Sequence, residues 1–153
     1  MARFKALSLG TQLVLVGGPL LLLSLFFTWQ HVEVDYGQAG VATIALDGFD
    51  AWGLLLALLT IALLTIVALR ALSDVEMSDG VPWHSITLGL GLGVLAVAVL
   101  KNLTDAGSTW ASYGFVGLAA LVALGAFLDW SAARSARGHP ELARKRRGLR
   151  SAA

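Results

Sequence analysis

The chain has no cysteine among its 153 residues. That excludes disulfides, thiolate metal sites, a cysteine nucleophile and S-palmitoylation. Charge is scarce too: Asp, Glu, Lys and Arg make up 14%, where a soluble domain carries about a quarter. No nucleophile–base pair, Gly-rich phosphate loop or metal-ligand spacing can be picked out. No cofactor and no metal are therefore expected, and catalysis is not.

What fills the chain is apolar. Hydrophobic residues make up 57% and the mean hydropathy is +0.76. The few charges are segregated, leaving uncharged runs at 6–32, 51–69, 80–100 and 106–128. Each approaches or exceeds the ~20 residues that cross ~30 Å of hydrocarbon at 1.5 Å per residue. The runs predict spanning helices over about 7–29, 51–70, 83–102 and 109–130. Arg3 and Lys5 before the first run resemble the start of a signal peptide. The run is too long for an h-region, however, and no small-x-small cleavage site closely follows its bulky FFTW end, so a retained helix is expected.

Four spans place both termini on one side. With that side inside, the inner segments hold ten of the eleven Lys and Arg residues and the outer segments only Lys101. The positive-inside rule then puts both termini in the cytoplasm. The five acids Glu33, Asp35, Asp47, Asp50 and Asp105 fall outside and the other five inside. All five tryptophans, Trp29, Trp52, Trp83, Trp110 and Trp130, lie at predicted span ends. Indole favours the headgroup level, with its ring half buried and its N–H wet, so these five are read as interface anchors.

Between the first two spans, an outer loop over 30–50 contains HVEVDY, which alternates, then the turn GQAG, then the β-branched VATIAL. This pattern predicts a short extracellular β-hairpin. The inner connection LSDVEMSDGVPW has Ser73 and Glu76 at capping-box spacing and Pro82 at the start of the third helix. The outer connection TDAGST reads as a tight turn. In the first helix, Gly17-Gly18-Pro19 predicts a packing kink. Small residues four apart, Gly53/Ala57, Gly89/Gly93 and Ala119/Ala123, mark faces for close helix packing, within the chain or in a homo-oligomer.

In DGFDAWG (47–53), Asp50 is placed to cap the second helix, Gly48 to permit the turn and Trp52 to anchor the helix end. Lys101 and Asp105 stand at i and i+4, an expected ion pair that snorkels toward the headgroups. His31, Glu33 and Asp35 would share one face of an extended strand. That strand spaces alternate side chains ~7 Å apart, too wide for three ligands on one ion. After 133 the chain becomes a basic tail, 134–153. Its Arg144, Lys145, Arg146, Arg147 and Arg150 are expected to contact anionic headgroups. No aromatic interleaving accompanies the basic residues, so nucleic acid is not an expected partner.

The segments GPLLLLSLFFTW, DGFDAWG and YGFVGLAALVALGAFLDW together resemble small four-helix membrane proteins of actinobacterial type. The resemblance implies a bacterial cytoplasmic membrane and transfers no functional residue. The expected fold is an all-α membrane protein: an antiparallel four-helix transmembrane bundle with both ends inside and a short extracellular hairpin. The favoured role is a non-catalytic scaffold or accessory subunit acting through lipid or protein partners. The alternatives are a small transporter or channel component, resting on Gly17-Gly18-Pro19, and a lipid-modifying enzyme using Asp47 and Asp50.

Overall fold

A computed structural model of the protein describes residue 4 and residues 6–72, 80–105 and 107–138. The elements run α1 (Leu9–Ser24), β1 (Gln30–Asp35), a 3-10 turn (Gly37–Ala39), β2 (Val41–Leu46), α2 (Ala51–Leu72), α3 (Trp83–Thr104) and α4 (Trp110–Gly138). The helix α1 packs against α2 and α4, and α3 packs against the same two, so neighbours in sequence are neighbours in space. The chain direction alternates around this ring. One end carries the hairpin; at the far end α1 and α3 begin and α2 and α4 finish. The expected loop around Ser73 and Glu76 and the part of the basic tail beyond 138 lie outside the described residues, while 134–138 continue α4.

Three helices, α2, α3 and α4, are long and apolar enough to cross a membrane. The first is shorter than the predicted 7–29. It begins at Leu9, where the Ser8 side chain caps the Thr11 N–H, and α-helical structure ends at Ser24, 16 residues on, ~24 Å of helix. A tighter turn follows, with the N–H groups of Leu25, Phe26 and Phe27 bonded three residues back. The chain then folds inward at Trp29. Uncharged length alone cannot register that departure, because the turning residues are as apolar as the helix. At the other extreme α4 continues to Gly138, beyond the predicted 130.

The interior mixes large side chains, among them Leu21, Leu56, Leu63 and Trp29, with small ones, and many large apolar side chains face outward. Buried positions include Ser24, Thr60, Thr87, Ala98, Ala119 and Ala126, while Leu23, Leu54, Leu58, Leu92, Leu121 and Phe127 stand exposed. A folded monomer in water rarely leaves more than a few hundred Å² of contiguous apolar surface uncovered. Small residues inside let helices approach closely. The buried hydroxyls bond their own helices: Thr60 donates to the Leu56 carbonyl and Ser24 to that of Leu21.

Glycine marks the closest crossing. A Cβ on Gly10 would lie 2.5 Å from the Gly125 carbonyl oxygen, and one on Gly125 would lie 2.7 Å from that of Gly10. Gly17 faces Val122 and Gly18 faces Leu64, so GGP seats α1 against α4 and α2, and α1 is helical through Pro19. The predicted small-residue faces are partly corrected. Gly91, not Gly89, makes the close contact of α3, against Ala126; Gly93 touches Leu59 at 3.6 Å; Ala119 and Ala123 are buried as part of α4. Gly53 does not face another helix, because the Gly48 carbonyl occupies the place of its Cβ.

The hairpin is antiparallel, in register from Gln30 opposite Leu46 to Asp35 opposite Val41. Gly37 (φ +65°) and Gly40 (φ +97°) supply the left-handed turn residues, and Asp35 accepts from the Gly37 N–H. TDAGST does more than turn. The His31 N–H donates to the Gly107 carbonyl, the Thr109 N–H to that of Trp29, and Gln30 bridges Ser108, so the α3–α4 connection lies along β1.

The crossing predicts an asymmetric response to adding one methyl group. Gly89→Ala, into open space, should be neutral or stabilising by up to about 1 kcal/mol from helix propensity. Gly10→Ala and Gly125→Ala should each lose about 1–3 kcal/mol through overpacking. Thermal melts in one detergent give the comparison.

Candidate functional site

DGFDAWG closes the hairpin end. Asp47 accepts from the Phe49 N–H at 3.0 Å, an Asx turn. Asp50 Oδ1 accepts from the Gly53 N–H at 2.7 Å, which is the expected cap. Its second oxygen does something the sequence reading did not assign: it receives the Lys101 ammonium at 2.6 Å. Lys101 also lies 3.0 Å from Asp105 Oδ2, the expected i, i+4 partner.

The snorkelling expected of Lys101 is overturned. Its side chain is 0% exposed, because the carboxylate of Asp50 and the face of Trp29 close over it, with the Trp29 ring centre 5.1 Å from Nζ. Asp105 Oδ2 has no hydrogen-bond partner, so it meets the ammonium as a close charge with an unfavourable bonding angle. Burial pushes the Asp50 carboxyl up, but the Lys101 hydrogen bond, the Gly53 N–H and the Lys101 charge outweigh it and hold it below its ordinary 3.8.

The Trp29 expectation is also corrected. This residue is 0% exposed; its indole N–H donates to the Ser24 carbonyl at 2.9 Å and its ring meets Phe115 at 5.3 Å. It is a core residue of the hairpin end and no headgroup anchor. Trp110 is the reverse, 88% exposed at the first turn of α4. Trp52 is exposed, Trp83 half-buried, and half-buried Trp130 carries the Arg134 guanidinium over its ring at 5.3 Å. Beside the clamp, Asn102 accepts from Ser112 at 2.6 Å and binds α3 to α4.

At the far end the sequence reading named no site, and the structure assembles one. A cavity of about 470 Å³ opens between all four helices. Its polar lining comes from Ser8 and Thr11 of the α1 entry, Arg70 of α2, His84 and Thr87 of α3, and Asp129 of α4. The Ser8 and Thr11 hydroxyls donate to separate oxygens of Asp129, at 2.5 and 2.8 Å. Across the cavity Arg70 Nη2 lies 2.8 Å from His84 Nε2. The same Nη2 lies 3.3 Å from His84 Nδ1, and because a guanidinium has only donors, a ring nitrogen that bonds it acts as acceptor. These residues are far apart in sequence and of unremarkable type singly. Their only sequence signal is polarity near four predicted helix ends on one side.

The residues that suggested enzyme chemistry are thus occupied structurally, Asp47 by a turn and Asp50 by a cap and an ion pair. His31, Glu33 and Asp35 lie on the exposed face of β1. In comparisons with protein families, curated proteins and solved structures, none matches the chain.

Lys101→Met would leave Asp105 buried without its counter-charge and should destabilise by about 3–5 kcal/mol. The double variant with Asp105→Asn should recover part of that loss in the same melts. A carboxyl whose folded pKa lies below its unfolded value contributes its full stability above the unfolded pKa and loses it as pH falls through the folded one. For Asp50 that window lies below 3.8. The unfolding midpoint should fall as pH drops below about 4, and less steeply in Asp50→Asn.

Proposed function

We propose that this is an integral protein of a bacterial cytoplasmic membrane, with four membrane-crossing segments, both termini in the cytoplasm and the hairpin outside. It acts by binding lipid or protein partners, as a scaffold or accessory subunit, and not by catalysis. The observation that carries this reading is the apolar exterior. Leucine, isoleucine, valine and phenylalanine side chains stand exposed along the helices, while serine, threonine, alanine and glycine lie among the leucines and valines between them. Such a surface is matched by hydrocarbon and is unfavourable in water.

The orientation follows from placing ten of the eleven basic residues on one side. At 16 residues α1 crosses with help from the turn that carries it to Phe27, and flanking residues can take up the remaining mismatch. Binding is favoured over catalysis because the polar groups are engaged in holding one another. At the far end the hydroxyls of Ser8 and Thr11 donate to Asp129, positioning that carboxylate. The transporter alternative loses its motif, since Gly17-Gly18 is filled by side chains of α4 and α2.

The cysteine-free background makes topology directly measurable. Gln38→Cys, in the hairpin, should react with a membrane-impermeant maleimide on intact cells, and Ser151→Cys only after permeabilisation. The opposite pattern overturns the orientation. For the role, native mass spectrometry of the protein released in lipid-preserving particles should show a reproducible second chain, another protein or a defined lipid. A bare monomer with bulk lipid alone removes the scaffold reading.

A further inference from the structure

The far-end cavity is lined by two charges that no described residue neutralises. Among the described residues the ion pairs are those of Lys101 with Asp50 and Asp105. Arg70 and Asp129 line the same cavity, both half-buried, and neither lies within ion-pair distance of an opposite charge among the described residues. Each is nevertheless held in place. Asp129 is fixed by Ser8 and Thr11, and each of its oxygens keeps a lone pair for a further donor. Arg70 is steadied by His84 through one terminal nitrogen, which leaves other N–H groups of its fork available.

We propose that this cavity binds a phosphoethanolamine group, with its ammonium on Asp129 and its phosphate on Arg70. A carboxylate and a guanidinium that line one cavity without pairing suit a zwitterion. Two methylenes lie between the ammonium and the phosphate ester oxygen of phosphoethanolamine, so it can bridge groups that do not touch. A guanidinium suits a phosphate through parallel N–H donors. A carboxylate with spare acceptor sites suits a primary ammonium, whose three N–H donors a quaternary ammonium lacks. The volume of about 470 Å³ falls within the usual range of small-molecule sites, roughly 300–1,000 Å³.

The group can arrive on a lipid or as a free solute. A second cavity of about 240 Å³ between α3 and α4 shares the walls His84 and Ala133 with the first and is flanked by Trp130 and Arg134. It offers a sideways approach at the level where indoles meet headgroups. The lipid source rests on the membrane reading above; the pairing of charges does not.

The test is calorimetric titration of the full chain in a non-ionic detergent. The probes are dihexanoyl-phosphatidylethanolamine, the phosphatidylcholine and phosphatidylglycerol of the same chain length, and free phosphoethanolamine. The ethanolamine lipid should bind about tenfold or more tighter than the other two lipids, the scale of losing one charged hydrogen bond. Arg70→Gln should weaken it by a similar factor, and Asp129→Asn should erase the preference for ethanolamine over choline. Ala133→Phe, which fills the wall and leaves both charges, should block binding with the melting temperature retained. Equal binding of free phosphoethanolamine keeps the site and identifies a solute; binding of the lipid alone identifies a headgroup. Indifference to headgroup or to these substitutions, or no binding of any probe, overturns the site. Binding of the free solute by a protein whose topology mapping fails keeps the site and removes the lipid source.

Discussion

The hairpin end is organised around one buried ammonium. An ion taken out of water costs several kcal/mol even after relaxation, and Lys101 is completely enclosed. That cost is offset by Asp50, Asp105 and the Trp29 ring, which close around it. Each of those groups has a second task. Asp50 caps α2, Trp29 ties the end of α1 to β1 through the Ser24 carbonyl, and Asp105 is the first residue beyond α3. One cation therefore sets where α2 begins, where α1 stops and where α3 ends. The backbone bonds from Gly48 to Leu25 and from Thr109 to Trp29 then have fixed ends to join.

That arrangement explains which features were legible in the sequence. The helices follow from uncharged length and the hairpin from alternation and a Gly-containing turn, both local properties of a few consecutive residues. The cap by Asp50 and the pair Lys101–Asp105 are likewise local. The meeting of Asp50 with Lys101 is not, since 51 positions separate them. An interface lysine and an enclosed lysine have the same neighbours in sequence. Trp29 misleads for the same reason: an indole at a span end is as consistent with a belt as with a core. Its burial depends on Phe115, which a different helix contributes. Gly89 and Gly91 show the limit of spacing arguments, because GLGLG offers several faces and the position of Ala126 decides which one packs.

The far-end cavity escaped sequence reading for a further reason. Its polar residues come singly from four helices, and each has an ordinary local explanation. Ser8 is a cap, Thr11 sits in a first helical turn, and Arg70 is the basic residue in the last turn of α2. Nothing in their spacing marks convergence. Only the antiparallel order, which brings two helix starts and two helix finishes to one end, places them around a common space.

The two ends differ in how charge is settled, and this difference is what makes the far end the candidate for binding. At the hairpin end one cation meets two carboxylates at 2.6 and 3.0 Å, an arrangement that fixes geometry and settles the charge locally. At the far end a carboxylate and a guanidinium are positioned by Ser8, Thr11 and His84, and not by each other. Hydroxyls and an imidazole orient a charge without cancelling it. The residual field is then divided, negative at α4 and positive at α2, across a cavity broad enough for a small polar group. A partner that supplied only one sign of charge would leave the other exposed. A zwitterion satisfies both, which is why the arrangement favours a ligand over a simple counter-ion.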